Sequence, residues 1–179
     1  FGWLRGATTR KGHLQFLEGA TWNLSFFDGE LARLVLKGIL EDPIAAFGMR
    51  VVEVREGATP VLGTQNRFYT DGSAIIVRRR REDGTREYLF SDSLAANEIM
   101  TQTLRKKLVK AGFTGDHLNV QVAFDRTYPR SRIRLISIKG TQHKGSECPV
   151  LIEGTPEAIQ FAWLVGIGEL TGSGFGALQ

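Results

Sequence analysis

Five glycines crowd the end of the chain, directly after the apolar run Ala158–Val165. Glycine has no Cβ atom, so its backbone can adopt positive φ and can approach another group closely. Such a segment has two common uses: its N–H groups can hold a phosphate, or the loop can pack tightly under its own sheet. Both interpretations remain open. The candidate residues of this tail are Gly166, Gly168, Gly172, Gly174, Phe175 and Gly176.

The familiar phosphate-binding motifs do not fit this tail. The triphosphate-binding loop requires Gly-Lys-Ser/Thr, which occurs nowhere in the chain. In Gly166-Ile167-Gly168 the third glycine of a dinucleotide fingerprint is out of register, and the cluster ends a helix where the fingerprint would begin one. Gly172-Ser173-Gly174 also lacks the spacing of a serine nucleophile motif. These observations disfavour a small-nucleotide site.

Basic residues form further candidate phosphate-binding groups. In the run Arg78–Arg81, alternate side chains face opposite sides of a strand, so at most two share a face. The alternative is a solvated hairpin edge that blocks aggregation. Cations late in a predicted helix can also simply stabilise the helix dipole. A row of three arginines spaced by two would share one strand face and is more typical of a phosphate track than of a core. The basic candidates are Arg78, Arg80, Arg105, Lys106, Arg130, Arg132, Arg134 and Lys144.

Metal and disulfide chemistry is not indicated. Cys148 is the single cysteine, which excludes an internal disulfide and a cysteine zinc site, and we expect it to be a small buried hydrophobe. The chain contains no His-x-x-x-His and no Cys-x-x-Cys. We therefore expect no metal and no cofactor.

Composition favours an acidic partner such as nucleic acid. The 179 residues carry a net charge of +4, the sequence pI is about 9.5, and 42% of residues are hydrophobic. This suffices for a buried core, and the clustered cations favour nucleic acid. Neither a long apolar run nor a signal peptide is present, so a cytoplasmic location is the default expectation. The chain begins at Phe1 instead of Met, and both ends resemble cuts through a longer polypeptide.

The first half predicts β-β-α-β. Strands are expected at His13–Leu17 and Trp22–Phe27, joined by a turn at Glu18-Gly19. Asp28 is a good N-cap for a helix reaching about Leu40. Met49–Arg55 alternates apolar and polar residues like a strand.

The second half predicts β-α-β-β-α-β, the ferredoxin-like order. A strand is expected over Phe68–Arg80, then a hairpin at Asp83-Gly84, and Asp92 or Ser91 would cap a long helix ended by Gly112. Thr155 and Pro156 begin the last helix, and a short strand starts at Phe175. The remaining strands are expected at Asn119–Phe124, Ile133–Ile138 and Cys148–Ile152, with a polar turn at His143–Gly145 before the last of these.

The predicted fold is thus α+β, with tandem ferredoxin-like (RRM-like) domains. The first domain covers residues 1–57 and lacks its opening strand and helix. A linker follows at 58–64, and the second domain covers 65–179.

The tail after the last helix resembles the C-terminal glycine-rich loop of the RAMP superfamily, and most closely that of its CRISPR-repeat-processing endoribonucleases. Three further segments are similar to this family in the same order: Gly154–Glu157 before the helix, Phe68–Val77 as the strand that opens the second domain, and the basic helix segment Leu104–Leu108. The resemblance covers nearly all of the chain and is strongest after Arg67. It implies two ferredoxin-like units, which agrees with the pattern of elements.

The resemblance implies an enzyme that binds CRISPR repeat RNA and cuts precursor RNA by metal-independent attack of a ribose 2′-OH, leaving a 2′,3′-cyclic phosphate. Such a reaction needs a general base, and histidine suits that role. The family's usual catalytic histidine would lie ahead of Phe1, so no histidine here inherits the role by position. His13 and His143 are weak candidates within the chain, whereas His117 is expected to be structural.

Three other interpretations remain open. The chain could be a non-catalytic RAMP subunit that binds guide RNA within a larger complex of CRISPR-associated proteins. It could be the RNA-processing domain of a CRISPR protein fused to a reverse transcriptase and integrase. It could also be a ferredoxin-like module that binds a small molecule or a protein, which would show no salt-sensitive RNA binding.

Overall fold

The structure, a computed structural model, describes residues 1–11 and 13–179, including their side chains except those of Thr9, Arg10, His13 and Phe47. The strands are β1 Thr8–Arg10, β2 His13–Gln15, β3 Gln65–Phe68, β4 Val77–Arg80, β5 Arg86–Leu89, β6 Gln121–Phe124, β7 Arg132–Ile138, β8 Thr141–Glu147 and β9 Val150–Glu153. The helices are α1 Gly29–Glu41, α2 Leu94–Lys110 and α3 Pro156–Val165.

The central sheet of the second half is antiparallel and has the order β3-β9-β6. The tail extends this sheet beside β3, since Thr70 bridges Leu178 and Tyr69 exchanges two backbone hydrogen bonds with Gln179. The fourth strand therefore lies next to the first, and the third lies between the first and the second. Helices α2 and α3 make the crossovers. This is the ferredoxin-like arrangement, and the chain adopts the α+β fold that was predicted.

Both helices of this unit pack on the same face of the sheet. α2 buries Ala96, Met100, Leu104 and Leu108, which recur every four residues and so form one stripe. α3 begins where Thr155 accepts a hydrogen bond from the Ala158 N–H, with Pro156 in its first turn, as the sequence predicted. The stripes of both helices cover Phe68, Val122, Phe124, Val150 and Ile152 on the strands.

The outer edge of the sheet is covered by side chains of α2. Thr101 Oγ1 accepts a hydrogen bond from the Val122 N–H at 2.9 Å, and Asn97 Oδ1 accepts one from the Phe124 N–H at 3.0 Å. These contacts satisfy backbone groups of β6 that would otherwise be open to another strand. The face of the sheet opposite the helices carries Gln65, Arg67, Gln121 and Glu153, which are all exposed.

The two long hairpins are insertions into the ferredoxin-like order. The β4–β5 hairpin turns at Asp83-Gly84, as predicted. The β7–β8 hairpin was missed, because the predicted polar turn at His143–Gly145 lies within β8. The chain reverses instead at Lys139 and Gly140, whose φ angles of 49° and 78° match the positive values that a two-residue hairpin turn requires.

Two other predictions for the second half are wrong in detail. The expected strand over Phe68–Arg80 is interrupted, because residues 71–73 form a bend that separates β3 from β4. The residue that precedes α2 is Ser93, not Asp92 or Ser91. The predicted end of α2 near Lys110 is confirmed, with Gly112 at a φ of 90° directly after it.

In the first half, the helix is confirmed and two strands are not. Asp28 accepts hydrogen bonds from the N–H groups of Glu30 and Leu31, so it caps α1 as predicted. β2 pairs with β1, and the predicted strand Trp22–Phe27 is wrong. That segment lies beside the N-terminal residues, with backbone bonds from Gly2 to Asn23 and between Arg5 and Thr21.

The predicted strand Met49–Arg55 is also wrong. Arg50 forms a single bridge with Ile44, and the Val51 N–H donates to the Pro43 carbonyl, so the segment folds back on the residues just before it. Residues 51–63 have no regular structure. Alternation alone did not specify a strand here, since no strand among the described residues supplies a ladder.

Asp71 connects the two halves. Its carboxylate is 3% exposed and accepts hydrogen bonds from Arg5 Nε at 2.6 Å and from Asn23 Nδ2 at 3.1 Å. Phe27 adds aromatic contacts, with ring centroids 4.8 Å from Phe161 and 5.7 Å from Phe113. The N-terminal residues are therefore held against the ferredoxin-like unit by one buried carboxylate and one aromatic cluster. The domain boundaries at 57 and 65 stay predictions.

Candidate nucleic-acid interface

The β7–β8 hairpin carries two arginines that share one carboxylate. Arg132 Nε lies 3.0 Å from Glu147 Oε2, and Arg134 NH1 lies 3.3 Å from the same oxygen. Arg134 also donates to the Gly72 carbonyl at 3.2 Å. Two guanidinium groups facing one carboxylate leave this face with net positive charge. The pair of arginines is therefore both held in place and able to attract an anion.

Arg130 does not continue this row along the strand, so that part of the prediction is wrong. β7 begins at Arg132, and Arg130 lies in the turn before it. Pro129 has no N–H group to give to a ladder, which keeps this segment out of the sheet. The exposed Arg130 side chain instead lies beside Tyr128, with its guanidinium carbon 5.7 Å from the ring centroid.

An arginine and two tyrosines that sequence reasoning missed lie next to Arg130. The Arg67 guanidinium carbon lies 5.0 Å from the Tyr69 ring centroid and 5.7 Å from that of Tyr128. The two rings meet edge to face, with centroids 6.0 Å apart. Arg67 and Tyr69 are two residues apart on β3 and its extension, with the buried Phe68 between them, so both face away from the helices. That alternation was the available sequence signal.

Asp125 fixes the position of Arg67. Its Oδ2 lies 2.5 Å from Arg67 NH2, and its Oδ1 accepts hydrogen bonds from the Thr127 hydroxyl and the Thr127 N–H. These hydrogen bonds from Thr127, together with Arg67, hold the pKa of Asp125 below its usual value. The carboxylate thus stays ionised at neutral pH.

The run Arg78–Arg81 is largely paired within the protein. Arg79 and Arg81 share one face and both bind Glu87, whose pKa falls to about 2 through hydrogen bonds from Arg81 and Arg79. The Arg78 side chain is 12% exposed and binds Glu169. Arg80 is exposed and has no ion-pair partner among the residues that the structure describes. Of the two candidates in this run, Arg80 is the one open to a ligand.

The basic residues of α2 have separate roles. Arg105 donates to the carbonyls of Leu118 and Val120 at 3.1 and 3.0 Å, which ties the helix to the start of β6. Lys106 is exposed. Lys107 is half-buried, and its Nζ lies 3.0 Å from the Gly166 carbonyl. Burial lowers the pKa of Lys107 to about 8. Sequence reasoning placed Lys107 only among the cations late in the helix, which stabilise the helix dipole or contact RNA.

Most of the glycine tail packs against the protein itself. A Cβ atom on Gly168 would lie 2.6 Å from the Ile76 carbonyl oxygen, and one on Gly174 would lie 2.5 Å from Trp3. A Cβ atom on Gly166 would meet the backbone of Gly176, and one on Gly176 would meet the backbone of Ile167. Gly172 alone of the five has open space around a Cβ position. Phe175 is 1% exposed, between Trp3 and His143. Close packing thus accounts for four of the glycines.

The histidines that the structure describes are not arranged as a catalytic pair. His143 lies in β8, its ring is 5.6 Å from Phe175, and its Nδ1 is buried without a hydrogen-bond partner among the described residues. Lys144, next to it, is exposed. His117 Nδ1 lies 2.8 Å from Thr155 Oγ1, as a structural residue would. The side chain of His13 lies outside the described residues. A catalytic histidine ahead of Phe1 stays a prediction.

Two features are absent from the described residues. They contain no group of three or more histidine, cysteine, aspartate or glutamate side chains placed to hold a metal ion. No helix within them combines the length and the apolar character needed to cross a membrane.

The second half of the chain is thus one ferredoxin-like unit, and exposed basic residues lie on its hairpins and helix α2. Residues 59–179, about two thirds of the chain, match the family model of "CRISPR associated protein Cas6, C-terminal". The chain belongs to this family. No curated protein sequence matches it.

Solved structures share the fold at low sequence identity. A structure described as "CRISPR associated protein Cas6" is 21% identical, with a TM-score of 0.75 over 98% of this chain and 74% of its own. "Characterization of a Cas6-related gene from Pyrococcus furiosus" is 19% identical, with a TM-score of 0.69 over 87% of this chain. "An RAMP protein binding different RNA substrates" is also 19% identical, with a TM-score of 0.66 over 87% of this chain. The chain spans 65% of the length of each of the last two structures.

Proposed function

We propose that this chain binds CRISPR repeat RNA and belongs to an endoribonuclease that processes the precursor RNA. The family match over residues 59–179 carries the proposal. The arginines in and just before β7 support it, because phosphate contacts by arginine and lysine dominate the affinity of proteins for nucleic acids. One structure of the same fold is described as an RAMP protein that binds different RNA substrates.

The RNA backbone would follow Arg130, Arg132 and Arg134. Arg132 and Arg134 are oriented by Glu147, so less side-chain freedom is lost when a phosphate binds. Arg130 lies outside the strand and is exposed, so it can reach the next phosphate along the strand of RNA. Lys144 and Lys106 are exposed cations that would add to the attraction at longer range.

The proposed reaction needs no metal. A general base removes the proton of a ribose 2′-OH, the oxygen attacks the adjacent phosphorus, and the bond to the 5′-oxygen breaks as a general acid protonates that oxygen. The products are a 2′,3′-cyclic phosphate and a 5′-OH. The arginines beside β7 would hold the phosphates in register. The general base is not assigned to a residue of this chain: the His143 ring packs against Phe175 with its Nδ1 buried, and the side chain of His13 lies outside the described residues.

The first test is the salt dependence of binding. Changing Arg130, Arg132 and Arg134 to Gln should weaken repeat-RNA binding and lower the slope of log K against log salt by about 0.7 for each lost single-strand contact. Arg33 is the matched control, since it is exposed on α1 and pairs only with its neighbour Glu30. Arg33→Gln should leave the slope unchanged. An unchanged slope in the folded triple variant would exclude these three arginines as the RNA-binding surface.

The second test is cleavage of repeat RNA in the presence of a chelator. We expect His143→Ala to leave binding and any cleavage intact, because its Nδ1 is buried and its ring packs against Phe175 as a structural residue would. Loss of cleavage with unchanged binding in His143→Ala or His13→Ala would place the active site within this chain. If the protein carrying the chain binds repeat RNA without cutting it, the non-catalytic guide-RNA subunit is the correct interpretation.

A further inference from the structure

In the central sheet of the second half, the face opposite the helices carries an exposed aromatic ring with arginines beside it. Tyr69 is 41% exposed and projects from the extension of β3, on the face opposite α2 and α3. Exposed aromatic side chains on such a face suit stacking of unpaired bases, because every base presents a π-face. The helix-covered face could not serve, since its side chains form the core.

The neighbours of Tyr69 hold its ring and supply positive charge. The Tyr69 hydroxyl accepts a hydrogen bond from Arg67 NH1 at 2.9 Å, and the Arg67 guanidinium lies over the ring. Tyr128 meets the ring edge to face. Arg67 is in turn fixed by the buried Asp125. The ring is thus preorganised, which reduces the entropy lost when a ligand stacks on it.

Two of the arginines proposed to bind phosphate contact residues near this ring. Arg130 is beside Tyr128, and Arg134 donates to the carbonyl of Gly72, three residues after Tyr69. A ribonucleotide whose base stacks on Tyr69 would therefore place its phosphate near Arg130. A paired base cannot occupy the ring, because both of its faces are covered within a duplex.

We propose that Tyr69, framed by Tyr128, Arg67 and Arg130, is a stacking site for an unpaired nucleobase of single-stranded RNA. This inference rests on the proposed RNA-binding function and adds to it a preference for an unpaired segment next to the arginine row. Stacking depends weakly on base identity, so the site recognises single-stranded character more than sequence.

The test compares affinity for two probes, an unstructured oligouridine carrying one 2-aminopurine and a blunt RNA duplex. Tyr69→Leu should weaken binding of the single strand about five- to tenfold, at the lower end of what one stacked base contributes. It should also abolish quenching of 2-aminopurine fluorescence on binding. Duplex affinity and the salt slope should not change, because no phosphate contact is lost.

Two control variants separate stacking from structure. Tyr69→Phe keeps the ring and loses only the hydroxyl, so it should retain single-strand affinity and quenching. Tyr88 also lies near an arginine, with its ring centroid 5.9 Å from the Arg78 guanidinium carbon, but on the β4–β5 hairpin. Tyr88→Leu should bind both probes like the unmodified protein.

The outcomes distinguish this site from RNA binding in general. Normal single-strand affinity in folded Tyr69→Leu, together with a lower salt slope in Arg130→Gln, would overturn the stacking site and leave the RNA-binding function intact. Equal losses for duplex and single strand would also overturn it. If the unmodified protein binds neither probe nor repeat RNA, the proposed function fails and the stacking site fails with it.

Discussion

At the scale of single residues, Lys107 contributes more to the glycine tail than its position late in α2 indicates. Its ammonium group donates to the Gly166 carbonyl, at the end of α3, and to the Thr171 hydroxyl within the tail. A cation at the C-terminal end of a helix is favoured by the helix dipole. Burial opposes the charge, however, and lowers the pKa of Lys107 to about 8.

This lowered pKa predicts a pH-dependent stability. Between pH 8 and the unfolded pKa near 10.5, the unfolded chain binds more protons than the folded one, so the free energy of unfolding rises with pH. Relative to Lys107→Met, the unmodified protein should gain about 2–3 kcal/mol from pH 7.5 to pH 10.5. Urea unfolding at both pH values measures this difference.

The exposed neighbour Lys106 provides the control for that measurement. Lys106 is exposed, so Lys106→Met removes a charge from the same helix turn without removing a buried one. The difference between Lys106→Met and the unmodified protein should therefore be much smaller than for Lys107→Met. The absence of a pH-dependent difference between Lys107→Met and the unmodified protein would mean that Lys107 is solvated in solution.

At the scale of elements, the tail and the strand that it crosses depend on one another. The Gly176 N–H donates to the Ala74 carbonyl, and the Glu169 N–H donates to the Ile76 carbonyl. The tail thus replaces a regular partner strand for residues 74–76, which lie between the end of β3 and the start of β4. Its glycines permit this approach, because a side chain on Gly168 would meet the Ile76 carbonyl.

A pair of glycine substitutions should separate packing from phosphate binding. Gly168→Ala should destabilise the protein by about 2–4 kcal/mol, since φ is 80° and the clash is with backbone. Gly172→Ala should change stability by no more than about 0.5 kcal/mol, because its surroundings are open. Thermal unfolding of both variants measures the difference.

Repeat-RNA binding by a variant of the open position, Gly172, completes this comparison. If the tail also cradles a phosphate, Gly172→Val should weaken repeat-RNA binding without lowering the unfolding temperature. Equal stability of Gly168→Ala and Gly172→Ala would contradict the packing described for this tail.

At the scale of the whole molecule, the first and second halves meet at few but specific contacts. The buried Asp71 carboxylate binds Arg5 and Asn23, and the Ser25 hydroxyl donates to the Leu164 carbonyl at 2.7 Å. The apolar side chains of α1 add little, since Leu31 and Leu34 are 49% and 66% exposed. Asp71 therefore supplies the ionic part of this docking, beside the aromatic contacts of Trp3 and Phe27.

Asp71→Asn should loosen this docking. Breaking a buried ion pair costs about 3–5 kcal/mol, and the partial exposure of Arg5 reduces the expected loss to about 1–3 kcal/mol. Limited proteolysis should then cleave residues 1–57 faster than in the unmodified protein. Asp92→Asn is the control, because Asp92 is exposed and its side chain makes no hydrogen bond within the described residues. Identical digestion of the two variants would show that Asp71 does not hold the halves together.

The sequence by itself determined the parts of this protein that depend on neighbouring residues. Asp28 and Thr155 specify helix starts, Gly112 specifies a helix end, and Asp83-Gly84 specifies a hairpin, because capping and turn formation involve groups only a few residues apart. The ferredoxin-like order follows from these signals, and the family follows from the glycine tail.

Only the tertiary structure decided which strands pair and which charges remain available. Trp22–Phe27 alternates like a strand, but its backbone makes only one hydrogen bond to the N-terminal residues that the structure describes. Arg78 forms an ion pair with Glu169, 91 residues away. The cluster of Arg67, Tyr69 and Tyr128 likewise joins distant segments. Strand pairing, ion pairing and aromatic contact depend on which groups the folded chain brings within a few ångströms. Those distances cannot be derived from the residues that are neighbours in the sequence.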